Sequence, residues 1–161
     1  MSTVVNGLEE ITALAGADLG RTGWTEVTQE RVNTFADATG DHQWIHVDKA
    51  RAAAGPFGGT IAHGYLTLSM VIPLFAELLE VTGISMGINY GVNKVRFPAP
   101  VPVGAKIRLA ASVVTAEPVG DGTAVQLTAY FLQMNGGKPG KIPLGADTKV
   151  TLFAVTGQSA P

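Results

Sequence analysis

The sequence predicts an α+β domain in which an antiparallel sheet wraps around one long helix. Three observations predict it. From about Gly64 to Val81, Leu66, Leu68, Met70, Val71, Ile72, Leu74, Phe75, Leu78 and Leu79 surround the helix with apolar groups. A helix apolar all round is buried all round. After Gly83 the hydrophobic period changes from helical to two: Ile88, Tyr90 and Val92 share one parity, Val95 and Phe97 the other. Three more strands follow, separated by glycine- and proline-rich turns. Four long strands in meander order must cover a helix that has no polar face to offer water.

Taken in order, Gly7 to Leu14 reads as a short helix and Thr22 to Val27 as a first strand. Thr28 is placed to cap a helix, with Glu30 favourable in its first turn. Val32, Phe35, Ala36 and Thr39 make one face of that helix, and Gly40 stops it. Asp48 caps a short turn through residues 49–53, and Gly55-Pro56-Phe57-Gly58-Gly59 is a loop. In the long helix Pro73 marks a kink or restart, because it cannot donate to the carbonyl of Ser69. Gly83 ends the helix. The parity change in the strand that follows predicts a bulge near Asn93-Lys94, and Pro98-Ala99-Pro100 ends that strand. A second strand runs from about Ala105 to Glu117, with Ile107, Leu109 and Val113 on one face. Gly120-Asp121-Gly122 is a hairpin signal. A third strand spans Thr123 to Met134, residues 135–140 form a second turn, and a last strand runs from about Leu144 to Thr156.

The chain of 161 residues suits one domain, 1–161, with a sizeable core. It is 46% hydrophobic and only 15% charged, which points to a buried interface in an oligomer. A net charge of −2 gives no electrostatic footprint for nucleic acid. The absence of cysteine excludes disulfides, thiolate metal sites and a cysteine nucleophile, and fits a reducing, cytoplasmic setting. Met1 to Leu14 lacks a basic segment followed by an apolar run, so no signal peptide is expected. His63, Pro73 and Glu77 interrupt the apolar stretch, so no membrane span is expected either.

The chemistry centres on Thr39-Gly40-Asp41-His42-Gln43-Trp44-Ile45-His46. An acid and an imidazole five residues apart do not share a helix face, where the spacing is three or four. If Asp41 and His46 act together, the segment leaves the helix and folds back, which Gly40 permits. Such a pair can hold a water and move protons near neutral pH. The alternative is a turn aspartate and a half-buried, satisfied histidine. At the start of the long helix, His63-Gly64-Tyr65 offers free backbone N–H groups and a positive helix end for a developing oxyanion. Gly64 also admits close approach to the backbone, and His63 reads as a structural residue.

Three segments resemble the MaoC-like, (R)-specific enoyl-CoA hydratases, which have the hot-dog fold. They are Phe35-Ala36-Asp37-Ala38-Thr39-Gly40-Asp41 running on to His46, Ile61-Ala62-His63-Gly64-Tyr65-Leu66-Thr67, and Val95-Arg96-Phe97-Pro98-Ala99-Pro100-Val101. The family's first motif reads Gly-Asp-x-Asn-Pro-(aliphatic)-His. Asp41, Ile45 and His46 match it, while Gln43 replaces the Asn and Trp44 the Pro, which also suits the nodulation-protein-N-like branch. The resemblance implies one MaoC-like hot-dog domain that adds water to a trans-2-enoyl-CoA, giving the (R)-3-hydroxyacyl-CoA. It implies Asp41 and His46 as catalytic residues and Gly64, Gln43 and Ser69 around the oxyanion and substrate. Arg96 and Lys94 fall to the coenzyme A phosphates. No metal and no cofactor beyond the coenzyme A of the substrate is expected, and the expected partner is a second copy of the chain. The homodimer also follows from the low charge content and an edge strand that a single sheet leaves open. A hot-dog thioesterase and a non-catalytic acyl-thioester binding module are the competing readings.

Two other motifs fail on context. Gly83-Ile84-Ser85-Met86-Gly87 matches the serine nucleophile elbow, which needs a strand before it, a helix after it and a histidine downstream. Here a helix precedes, a strand follows, and His42, His46 and His63 all lie upstream. His42-Gln43-Trp44-Ile45-His46 resembles the zinc motif H-E-x-x-H but has Gln for the catalytic Glu and a glycine that argues against a continuous helix.

Overall fold

A computed structural model describes residues 2–92, 95–120, 122–135, 138–142 and 149–155. Its elements run β1 (Thr3–Asn6), α1 (Gly7–Thr12), β2 (Asp18–Arg21), β3 (Thr25–Glu26), α2 (Gln29–Thr39), α3 (Trp44–Val47) and α4 (Lys49–Ala53). There follow α5 (Gly64–Ser69), α6 (Val71–Phe75), β4 (Leu79–Thr82), β5 (Met86–Val92), β6 (Lys106–Val119), β7 (Gly122–Asn135), β8 (Lys138–Ile142) and β9 (Lys149–Val155).

The local signals placed several elements well. Thr28 accepts a bond from the Arg31 amide at the start of α2, and Gly40 closes that helix with φ 77°. Asp48 caps α4 through the Arg51 amide. The long helix is two short ones: α5 ends at Ser69, Met70 is the joint, and α6 begins at Val71. Pro73 thus sits in the first turn of a new helix, where its missing N–H costs nothing.

Other expectations need correction. The helix stops at Phe75, and Leu79–Thr82 becomes β4, which pairs in parallel with the unforeseen β1. That pairing joins residues 76 or more apart, so no local pattern signals it. Of the predicted first strand, Thr22 to Val27, only Thr25–Glu26 forms as β3, and the unforeseen β2 precedes it at Asp18–Arg21. The predicted bulge at Asn93-Lys94 falls outside the described residues, while a register shift does occur between Asn89 and Gly91. Lys138-Pro139-Gly140, read as turn, belongs to β8 and pairs with β7.

The sheet is not a meander. Its order is β2-β6-β7-β9-β5, with β3 beside β6 and β8 beside β7. The strand that leaves the helices therefore crosses to the far edge and pairs with the last strand. Helices α5 and α6 lay Leu66, Met70, Val71, Leu74 and Phe75 into one core with Ile107, Leu109, Val113, Val125, Ala129 and Phe131 of β6 and β7. The opposite side of the helices is open: Tyr65 is 71% and Ile72 39% exposed. In a single chain the apolar stretch is buried on one side only, because the sheet curls round one side.

Candidate active site

Gly40 turns the chain out of α2, and the carbonyl of Gln43 then accepts the His46 amide as α3 begins. This one-turn helix, which the sequence did not signal, carries His46 inward until it is 6% exposed. Its Nδ1 lies 2.7 Å from the carbonyl oxygen of Ile61. A carbonyl only accepts, so Nδ1 carries the proton and Nε2 keeps a free lone pair. The Ile61 amide donates back to Ile45, clipping the two segments together. Asp41 remains exposed on the loop.

His63 ties the two together. It is 2% exposed. Its ring stacks on His46 with centroids 3.8 Å apart, and its Nε2–H donates to the Asp41 carbonyl at 2.9 Å. Phe35 closes the other side at 5.0 Å. The structural reading of His63 takes this form: it holds the Asp41 loop and the His46 ring at once. Its position before Gly64, two residues after a clipped isoleucine, was the only trace of that in the sequence.

One ligand atom from each of Asp41, His46 and His63 lies within 4.8 Å of the other two. The failed H-E-x-x-H match did not foresee this cluster, which three-dimensional folding assembled. The two imidazole rings of the cluster are stacked with their planes 27° apart.

His46 opens onto a cavity of about 330 Å³ lined by Phe57, Ile61, Gly64, Thr67, Arg96, Phe97 and Phe131 among others. Gly64 is the first residue of α5, so its N–H has no acceptor within the helix. On the side where a Cβ would stand, Gly64 is packed against Phe97, whose ring lies 2.7 Å from that position. Arg96 lines the cavity with its side chain exposed, and Lys94 lies outside the described residues. Ser69 is not brought to the cavity. It lies about 140° round the helix from Gly64, and its hydroxyl bonds the Tyr65 carbonyl. Thr67, about 60° from Gly64 on the other side, occupies the place instead, buried at 4% exposure. Gln43 is exposed and lends the site only its backbone. Trp44 turns away from the cavity and packs on Gly55, where a Cβ would meet its ring at 2.9 Å, with Arg51 over its face. His42 leaves the site altogether and pairs with Asp37 at 2.9 Å, which raises its pKa. No zinc motif with His46 is formed.

Burial holds the His46 pKa below its ordinary 6.5, and the neighbouring His63 adds to this against the opposing Ile61 carbonyl and Asp41. The ring is therefore a neutral base at pH 7. Because its folded value is depressed, protonation disfavours the fold. Stability from this group is present above 6.5 and is lost as pH falls through the folded value. Turnover per unit of free substrate should stay level at pH 7 and fall only below 6.5. A pH profile of kcat/KM with its acid limb above 6.5 would show that His46 is not the base.

A family model described as MaoC like domain matches residues 10–131. The chain is 52% identical over 127 residues to 3-hydroxyacyl-thioester dehydratase Z of Mycobacterium tuberculosis, covering 79% of this chain and 84% of the relative. It is 47% identical over 102 residues to Nodulation protein N of Rhizobium meliloti, covering 62% of this chain and 63% of that one. Among solved structures, an R-hydratase from Pseudomonas aeruginosa superposes with a TM-score of 0.67 at 22% identity, covering 91% and 88% of the two chains.

Proposed function

The chain belongs to the MaoC-like dehydratase family with the hot-dog fold, and we propose that it interconverts a trans-2-enoyl thioester and water with the (R)-3-hydroxyacyl thioester. It is a hydro-lyase. We infer the coenzyme A thioester, the product hand and the residue roles. One observation carries the reading: Nδ1 of His46 is committed to the Ile61 carbonyl, which leaves a basic Nε2 beside Asp41 at an apolar cavity.

In the hydration direction Asp41 and His46 hold one water by its two hydrogens. The water oxygen bonds to C3 as its proton passes to the dyad, and the C2–C3 π electrons move toward the thioester. Negative charge gathers on the carbonyl oxygen, where the Gly64 N–H meets it. A proton then returns to C2, so the product gains one water and nothing else. Arg96 at the cavity mouth pairs with coenzyme A phosphate, and the apolar lining takes the acyl chain.

The test is crotonyl-CoA turnover. Loss of enoyl absorbance without free thiol is expected, with (R)-3-hydroxybutyryl-CoA on chiral analysis. Thiol release means hydrolysis, no change means binding alone, and either outcome removes the proposal.

The active unit is a homodimer joined along β5. That strand is an edge of the sheet, and all seven of its residues are exposed, among them Met86, Ile88 and Val92. Apolar side chains on an unpaired edge invite a second strand. Sedimentation at micromolar concentration should give a dimer, and Ile88→Lys should shift it to monomer. A stable, active wild-type monomer is the contrary result.

A further inference from the structure

Gln29 lies 17 residues before His46 and holds its backbone. It is the first residue of α2, just after the Thr28 cap. Its Nε2 donates one hydrogen to the His46 carbonyl at 2.8 Å and the other to Asn33 Oδ1 at 2.9 Å. Its Oε1 accepts from the Thr60 hydroxyl at 2.6 Å. Every polar position of the amide that faces this corner is used, and reversing the amide would set oxygen against two acceptors.

Thr60 is 8% exposed and adjoins Ile61, whose carbonyl fixes the His46 ring. The segment is itself anchored: Val103 donates to the Thr60 carbonyl, and Ala62 donates to Val101. A chain of bonds therefore runs from residues 101–103 through Thr60 and Ile61 to both the ring and the carbonyl of His46. Without the Gln29 amide the two segments keep the Ile61–Ile45 and His46–Ile61 bonds and the His63 contacts to the His46 ring and the Asp41 carbonyl. Those set the distance between the segments but do not fix the rotation of the histidine's own peptide.

We propose that Gln29 and Thr60 are positioning residues for the hydration reaction, a latch that sets the direction of the His46 lone pair. The latch rests on the functional reading above, since it acts through His46 and touches no substrate. Its loss should reach the chemical step and spare substrate binding. A misplacement of about 1 Å at a reacting group can cost up to ~10²-fold.

Thr60→Val keeps shape and removes the hydroxyl, while Thr60→Ser restores it. Gln29→Glu keeps size but, when ionised, cannot donate to the His46 carbonyl. With crotonyl-CoA, Thr60→Val and Gln29→Glu should each lower kcat about tenfold with KM within about twofold, and Thr60→Ser should return most of the loss. The deficit of Gln29→Glu relative to wild type should also narrow at acid pH, where a protonated carboxyl can donate again. Independently of turnover, ¹⁵N-histidine NMR of the wild type should show His46 with its proton on Nδ1, and Thr60→Val should mix the tautomers. A folded Thr60→Val with wild-type kcat and an unmixed tautomer overturns the latch. A wild type with no turnover but with the tautomer change in Thr60→Val overturns the hydratase reading and keeps the latch.

Discussion

Asp41→Asn and His46→Gln are each expected to lower turnover by at least ~10²-fold, the low end of what general acid–base groups contribute. Asparagine keeps the shape of Asp41 and loses the basic carboxylate. Glutamine keeps a donor and acceptor at 46 and loses the basic ring nitrogen. Their effects on stability should differ. Asp41 is exposed, and its structural bond to His63 is made by its backbone carbonyl, which the substitution leaves in place. The melting temperature of Asp41→Asn should stay close to wild type. His46 is buried, bonded to Ile61 and stacked on His63, so His46→Gln should cost about 1–2 kcal/mol. Turnover and melting temperature of the two variants decide the matter. Near-normal turnover of either folded variant would remove that residue from the mechanism.

Gly64→Ala should be the next most damaging change. Gly64 has no positive φ to explain it; the crowding does. The added methyl would stand 2.7–2.9 Å from three atoms of the Phe97 ring, including the one nearest the backbone. Turning the outer edge of the ring does not relieve that contact, so the ring must swing out or the start of α5 must shift. Overpacking of this kind costs about 1–3 kcal/mol. Movement of the Gly64 N–H should add a loss of at least ~10-fold in kcat, since displacing one oxyanion donor can cost ~10²-fold or more. Phe97 is 42% exposed and can be cut back without opening the core. The double variant Gly64→Ala with Phe97→Leu should recover stability and most of the turnover, because alanine retains the N–H. Recovered stability with turnover still low would mean that the thioester itself needs the space beside residue 64.

The sequence by itself determined those parts that depend on near neighbours along the chain. Thr28, Gly40 and Asp48 act within four residues of their own position, so their roles as helix caps and stops could be read directly. Pro73 broke the central helix for the same kind of reason. The period-two run after Gly83 announced strands, and the order of three motifs announced the family. The Asp41–His46 pair could be proposed because Gly40 ends a helix just before it.

Tertiary structure decided what depends on partners distant in sequence. It placed β5 at the far edge beside β9 and paired β1 with β4. It set the histidine's tautomer through Ile61, and it brought His63 against His46 and Gln29 against Thr60. It also chose Thr67 over Ser69 at the cavity, because only a helix packed on its sheet has an inner face. Hydrogen bonds and ring contacts carry no periodic signature when their partners lie 15 or more residues apart; folding the sheet around the helices is what brings those partners within reach.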